Sequence, residues 1–209
     1  MASDDAPPSA RRTELLERAY RYALAHGLAE LSLRPLAAAI GSSPRVLLYL
    51  FGSKDGLVRA LLARARADEF ALLDRLREPA GGRPLGLDVA AGRIWSWLAA
   101  PEHRPLLTLW VEGYGRSLLD AEGPWGGFAS AGVDDWLAVL ATAQPPEERD
   151  APLGACHRTL VLAVLRGGLL DLLATGDEER VTAAVRTQIA ALRAQTEAAP
   201  AGRADQRGG

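Results

Sequence analysis

The chain has 209 residues, of which 48% are hydrophobic and 24% are charged, and its formal net charge is −2. This composition is typical of a globular protein, and the single cysteine excludes an internal disulfide framework and a multi-cysteine zinc site. Residues 1–17 carry acids and prolines where a signal peptide has an apolar core. No run of about 18 apolar residues occurs that could cross a membrane, so we expect a soluble, cytoplasmic protein.

Four helices are predicted in the N-terminal part of the chain, because apolar residues recur there at helical spacing without strand-like alternation. Gly27 is expected to end the first helix. Ser43 followed by Pro44 is typical of a helix start, with serine as the N-cap and proline in the first position. The four predicted helices cover residues 10–26, 33–40, 44–51 and 54–77.

The remainder of the chain predicts further helices separated by proline and glycine. They lie near residues 85–100, 104–119, 125–142, 153–174 and 178–197. We therefore predict an all-α fold of about nine helices. A small head covers residues 10–55, a larger body covers residues 56–198, and flexible tails cover residues 1–9 and 199–209.

Residues 31–51 predict a helix-turn-helix, because two short helices flank a glycine-containing turn. In this motif the second helix lies in the major groove of DNA. Leu47 and Phe51 lie four residues apart and are expected to point inward together. The face left free holds Arg45, Leu48 and Tyr49. Residues 1–60 also carry a net charge of +2 and the rest of the chain −4, the distribution expected of a DNA-binding head on an acidic body.

Residues 12–62 resemble the N-terminal domain of the tetracycline-repressor (TetR) family of transcriptional regulators. The resemblance rests on apolar positions, glycines and a serine-lysine-aspartate sequence at the spacing of that family. These are Leu15-Leu16-x-x-Ala19, Gly27, Leu36-Ala37, Ile40-Gly41, Ser43-Pro44, Leu47, Tyr49, Phe51 and Ser53-Lys54-Asp55-x-Leu57. It implies a dimeric DNA-binding regulator whose fifth to seventh helices enclose a ligand and whose last two helices form the dimer.

The resemblance also implies roles for residues of the head. In the family the third helix reads bases and the lysine that opens the fourth helix contacts a phosphate, and these roles fall here on Arg45, Tyr49 and Lys54. Further expected DNA contacts are Arg34 at the start of the second helix, and Ser43 and Pro44 at the groove edge.

Two positions of the third helix depart from the family pattern. Leu48 stands where the family often has tyrosine, and Leu50 stands where it often has histidine. Leu48 can contact a thymine methyl group but cannot donate a hydrogen bond to a phosphate. We therefore include Leu48 among the expected DNA contacts as an apolar one.

Aromatic residues are concentrated in the first half of the body. All five tryptophans fall within residues 95–136, which indicates an aromatic-lined cavity for a planar, largely apolar effector. The expected ligand-binding residues are Trp95, His103, Trp110, Tyr114, Arg116, Phe128 and Trp136, with the histidine and the arginine orienting the molecule.

The last two predicted helices indicate a homodimer. Residues 153–174 are apolar over more than one face, and the last helix carries an apolar stripe, so both need a covering surface. A twofold-related copy can supply it through a four-helix interface. The expected interface residues are Leu160, Val164, Gly167, Gly168, Val181, Val185, Ile189 and Leu192.

The sequence contains none of the common catalytic motifs. It has no glycine-rich phosphate loop, HExxH or GxSxG, and Cys156-His157 has no further metal ligands at useful spacing. We expect no enzyme activity, no metal and no cofactor. Two functions remain open: a ligand-responsive repressor that binds a near-palindromic DNA operator as a dimer, and a helical small-molecule carrier or interaction module whose head does not read DNA.

Overall fold

The computed structural model describes residues 8–28, 31–77 and 84–198. Within these ranges it contains ten α-helices, one 3₁₀ turn and no strand, which confirms the all-α prediction. None of these helices combines the length and apolarity that a membrane span requires. The predicted tails lie outside the described residues, except that Pro8 and Ser9 form the start of the first helix.

The helices follow one another with short connections. The first five are α1 (Pro8–His26), α2 (Leu33–Ala39), α3 (Pro44–Phe51), α4 (Lys54–Arg77) and α5 (Leu87–Ala99). After the 3₁₀ turn Pro101–His103 come α6 (Arg104–Leu119), α7 (Phe128–Thr142), α8 (Pro146–Arg149), α9 (Pro152–Thr175) and α10 (Glu178–Ala198).

Short helix α8 was not predicted from the sequence. The Pro145-Pro146 pair indicates a break, but Pro146 stands in the first turn of α8, where the missing N–H has no intrahelical partner to lose. Helix α7 also begins three residues later than predicted. Gly127 precedes it with a φ of 74°, a left-handed conformation that glycine adopts without strain.

The chain forms two compact units, one from residues 1–75 and 100–136 and the other from residues 76–99 and 137–209. These units are defined by packing, whereas the predicted head and body are defined by function, so the predicted boundary between residues 55 and 56 stays a prediction.

One continuous apolar core holds the first unit together. Its buried members come from α1, α2, α3, α4, α6 and the loop before α7: Leu15, Ala19, Leu36, Leu47, Leu57, Leu61, Leu109 and Trp125 are among them. Each buried leucine contributes about 1.5–3 kcal/mol relative to an exposed one. Because α4 and α6 share this core with the three head helices, the packing fixes how the head helices lie against both.

The second unit is built on the packing of α5, α9 and α10. Trp95 of α5 is buried, and its indole N–H donates to Thr182 Oγ1 over 3.1 Å. Gly168 allows α9 to lie close to α10 and α5, since a Cβ at this position would lie 2.8 Å from Val185 and 3.0 Å from Trp95. The three helices therefore pack tightly around one indole ring.

Candidate nucleic-acid interface

The turn between α2 and α3 is closed by two backbone hydrogen bonds. Ser42 N–H donates to the Ala37 carbonyl over 2.8 Å, and Gly41 N–H donates to the Ala38 carbonyl over 3.3 Å. Gly41 has a φ of 68°. This pair of bonds around a left-handed glycine satisfies carbonyls that α2 would otherwise leave unpaired. The turn therefore fixes the direction of α3 relative to α2.

Helix α3 starts at the residues that the sequence indicated. The Ser43 hydroxyl accepts the Val46 N–H over 3.3 Å, and Pro44 occupies the first turn. Serine in this position satisfies one of the N–H groups that have no partner within the helix. The cap orients the first turn of α3, which carries Arg45.

Helix α3 has one buried face and one exposed face, as the spacing predicted. Leu47 is only 1% exposed and Phe51 is also buried, whereas Tyr49 is 80% exposed, Leu48 is 40% exposed and Arg45 is exposed. Neighbouring exposed aromatic and apolar side chains on one helix face offer a surface that can contact a partner. The sizes and charges on this face suit an entry into the major groove.

Arg18 braces the helix-turn-helix from α1, a contact that the sequence analysis did not anticipate. Its Nη1 donates to the Ile40 carbonyl over 3.2 Å, and its Nη2 lies 2.6 Å from Glu14 Oε1. Ile40 is the C-cap of α2, so a cation sits at the negative end of that helix. The turn is thereby tied to α1.

The corner between α3 and α4 presents Lys54 to solvent. Ser53 caps α4 by accepting the Gly56 N–H at its hydroxyl over 2.9 Å. A Cβ at Gly56 would lie 2.1 Å from the Phe51 carbonyl, so only glycine allows the corner to close this tightly. Lys54 is exposed as the first residue of α4.

Among the described residues, some cations of the first unit are paired with carboxylates, whereas the expected DNA contacts are not. Arg11, Arg18, Arg64 and Arg66 each pair with a carboxylate. Within the part of the chain that the structure describes, the expected DNA-contacting cations make no ion pair; these are Arg34, Arg45 and Lys54. No described carboxylate therefore competes with an anion for these three cations.

A polar cluster links α1 to α4 beneath the head. The Tyr20 hydroxyl donates to Asp68 over 2.9 Å, and Arg64 bonds both Asp68 and Glu17, the latter over 2.5 Å. The Arg64 guanidinium lies 4.8 Å from the centroid of the Tyr20 ring. Burial, helped by the bond to Asp68, raises the pKa of Tyr20 above 10.0, so its hydroxyl keeps its proton.

Several of the expected effector residues meet on α6. The Trp110 and Tyr114 rings lie one helical turn apart, with centroids separated by 5.0 Å. A Cβ at Gly113 would lie 3.0 Å from the Phe128 ring, so the glycine lets α7 approach α6. His103 is half-buried before α6, whereas Arg116 on α6 is exposed. Whether a ligand binds these residues stays a prediction.

Two other expected ligand residues have protein partners. The Trp136 indole N–H on α7 donates to the buried carboxylate of Glu69 on α4, and Arg66 bonds Asp135 on the same two helices. The Trp95 indole belongs to the packing of the second unit described above. Glu69 has no signal in the sequence that distinguishes it from a surface acid.

Helix α9 presents an apolar stripe to solvent. Its exposed residues repeat at alternating intervals of three and four: Leu153, Cys156, Leu160, Ala163, Gly167, Leu170 and Ala174. Leu153 is 59% exposed and Leu170 is 52% exposed. This repeat is the pattern with which one helix packs along another. Of the expected interface residues, Leu160 and Gly167 lie on this stripe, and Val164 and Ile189 are partly buried.

The remaining expected interface residues are buried or half-buried within the single chain. Val181, Val185 and Leu192 of α10 are buried where α10 packs on α5 and α9, and Gly168 approaches Val185 as described above. The stripe in the sequence marked a face that must be covered. Within one chain α5 and α9 pack against this face, and a role of these residues in a dimer stays a prediction.

The described residues hold no group of three or more histidine, cysteine or acidic side chains that could bind a metal ion. Cys156 is a free, exposed thiol on α9.

Comparison with known proteins identifies the head. Residues 15–61 match the family described as bacterial regulatory proteins of the tetR family. The multidrug binding protein EbrR in complex with imidazole is 27% identical, with a TM-score of 0.61 over 86% of this chain and 89% of that one. Its complex with proflavin is 25% identical, with a TM-score of 0.56 over 86% and 99%.

A TetR-family member from Streptomyces coelicolor A3 is 26% identical, with a TM-score of 0.60 over 87% of this chain and 97% of that one. No curated protein sequence matches the chain at a significant level. The likeness to the solved structures extends over most of the chain, whereas the family match covers residues 15–61.

Proposed function

The chain belongs to the TetR family of DNA-binding transcription regulators, and we propose that it is a repressor that binds a near-palindromic operator as a homodimer and leaves it when a small aromatic molecule binds. The observation that carries the proposal is the free face of α3. Arg45, Leu48 and Tyr49 stand exposed behind a turn that two backbone bonds and Arg18 hold in place.

Dimerisation is supported by the exposed apolar stripe of α9. A twofold axis brings the same stripe of a second copy against it, and small residues at Ala163 and Gly167 let the two backbones approach. The two α3 helices then enter successive major grooves about 34 Å apart. This geometry requires the near-palindromic operator.

The effector is supported by the Trp110–Tyr114 pair and by Phe128 on the neighbouring helix. Aromatic rings with few nearby charges favour a planar, largely apolar ligand over a sugar phosphate. EbrR, which shares the fold, is a multidrug binding protein whose complexes contain proflavin and imidazole. We propose that this chain binds aromatic molecules of the same class. Binding alone then controls the protein, without a chemical reaction or a cofactor.

A DNA-binding titration tests the proposal. The operator is first selected from random 30-base-pair duplexes, and affinity is then measured by fluorescence anisotropy. We expect Arg45→Ala to weaken operator binding by about 1–3 kcal/mol and to relax the preference at one base pair. Lys54→Ala should weaken binding to every duplex and lower the salt slope by about 0.9 per protomer. Arg93→Ala, an exposed arginine on α5, is the control of equal charge.

Two outcomes contradict the proposal. Unchanged operator affinity in the Arg45→Ala, Tyr49→Ala double variant excludes α3 as the reading helix. A folded protein that enriches no duplex, yet binds aromatic compounds, supports the carrier function instead.

A further inference from the structure

Arg12 of α1 lies over the ring of Phe51, the last residue of α3. The Arg12 Cζ is 4.9 Å from the ring centroid. Phe51 is buried, whereas Arg12 is exposed. A guanidinium stacked on an aromatic ring keeps the donors along its rim free, because the contact uses only its flat face. The stacking therefore holds a cation at the end of the reading helix without using its hydrogen bonds.

Within the described residues, no carboxylate pairs with Arg12. Its neighbour Arg11 pairs with Glu14 over 2.9 Å, and Arg18 pairs with the same carboxylate over 2.6 Å. Among the described residues Arg12 stacks on the Phe51 ring and makes no ion pair. Of these two adjacent arginines of α1, only Arg11 makes an ion pair with a described carboxylate.

Arg12 and Lys54 both lie near the C-terminal end of α3. Helix α3 ends at Phe51 and α4 begins at Lys54 after the tight corner at Gly52 and Ser53. Both cations are therefore attached to the C-terminal end of α3, one from α1 and one from α4. A helix that lies in the major groove is flanked by the phosphates of the DNA backbone.

We propose that Arg12 is a DNA-phosphate contact, preorganised on Phe51, that binds the backbone at the end of the reading helix beside Lys54. This inference rests on the proposed DNA-binding function. A planar guanidinium donates two parallel hydrogen bonds to phosphate oxygens. The contact is independent of base sequence, so Arg12 adds affinity for all duplexes and fixes the register of α3.

The salt dependence of DNA binding tests this contact. The probe is a labelled random-sequence 30-base-pair duplex, titrated with the full chain between about 50 and 200 mM NaCl. We expect Arg12→Ala to lower the slope of log K against log salt by about 0.9 per protomer, which weakens binding about eightfold per protomer at 0.1 M salt. Arg12→Lys should keep the slope because the charge remains.

Arg11→Ala is the matched control, since it removes the same formal charge from the next residue of the same helix. Because Arg11 is already paired with Glu14, we expect it to leave the slope unchanged. Arg12→Gln keeps most of the side-chain length and should lower the slope of log K against log salt as much as Arg12→Ala does. Thermal unfolding of each variant separates a contact to DNA from a loss of stability.

The outcomes distinguish this contact from the proposed function. Suppose that Arg12→Gln is folded and keeps the wild-type salt slope, whereas Lys54→Ala lowers it. Arg12 is then only a packing residue and the inference is overturned. If the wild-type chain shows no salt-dependent binding to any duplex, DNA binding itself fails and Arg12 fails with it.

Discussion

The carboxylate of Glu112 on α6 accepts the backbone N–H of Leu28, just beyond the end of α1, over 2.8 Å. Gly27 precedes this bond with a φ of 77°, and a Cβ there would lie 3.1 Å from Glu112 Oε2. The last turn of α1 is therefore held by a side chain that stands 84 residues later in the chain. Glu112 lies between Trp110 and Tyr114 in the sequence of α6. The same helix therefore carries the bond to the head and two of the expected effector residues.

Removing this acceptor should destabilise the first unit. In Glu112→Ala the Leu28 N–H loses its partner while it stays buried, which we expect to cost about 1–3 kcal/mol of unfolding free energy. Urea denaturation measures the loss. Glu102→Ala, at an exposed glutamate before α6, is the control. Equal stabilities of the two variants would show that the bond contributes nothing.

Glu112 and the α2–α3 turn show which contacts a sequence reveals. The turn was predicted because Gly41, Ser43 and Pro44 act on backbone within a few residues of themselves, so their types indicate their geometry. The bond from Glu112 to Leu28 joins residues distant in sequence, and any of many acids could have made it. Turn and capping residues can be recognised in the sequence because they act on nearby backbone. The partner of a distant polar side chain depends on how the whole chain packs.

Helix α10 shows a second limit of sequence patterns. The spacing of Val181 and Val185 correctly marked a buried face, but periodicity does not identify the surface that covers it. In the folded chain α5 and α9 cover this face, and the residues left exposed on α9 form a different stripe. The expected DNA contacts did not have this ambiguity, because a reading helix must leave one face uncovered.

Charge on the exposed stripe of α9 should separate the proposed dimer. We expect the wild-type chain to sediment as a dimer at micromolar concentration, and Leu170→Glu to sediment as a folded monomer because a charge is buried without a partner in the interface. Val89→Glu places the same charge on an exposed valine of α5 and should remain dimeric. A monomeric wild-type chain, or equal behaviour of both variants, would contradict the assignment.

The turn between α9 and α10 should be sensitive to acid. Arg180 bonds both oxygens of Asp171, over 2.7 and 2.8 Å, and these bonds lower the pKa of Asp171 below 3.8. A lowered pKa means that the pair stabilises the fold above about pH 3.8 and that this stabilisation is lost as the pH falls through the lowered value. The surface exposure of the pair limits the size of the effect.

Melting temperatures against pH test this pair. Asp171→Asn and Arg180→Gln should each melt below the wild type at pH 7, and both differences should shrink together below about pH 3.8. A difference that stays constant down to the lowest pH would mean that the variants act through packing rather than through the charge on Asp171.

Effector and DNA should oppose each other through α6. We expect a ligand that shifts α6 at Trp110 and Tyr114 to shift Glu112 on the same helix as well, and through its bond to Leu28 the end of α1. A ligand shifts DNA affinity only by its own difference in affinity between the two arrangements, and DNA must weaken ligand binding by the same factor. We expect proflavin, followed by tryptophan fluorescence, to bind about 5–150-fold more weakly when operator is present.

Two variants separate binding from coupling in this titration. Trp110→Ala should weaken proflavin binding with and without operator, because it removes an aromatic surface of the expected site. Glu112→Gln should leave proflavin binding to the free protein largely intact and reduce the effect of operator, because the link from α6 to Leu28 is weakened. Trp97→Phe on α5 controls for the loss of one fluorophore. Equal proflavin affinity with and without operator in the wild-type chain would show that the two sites are uncoupled.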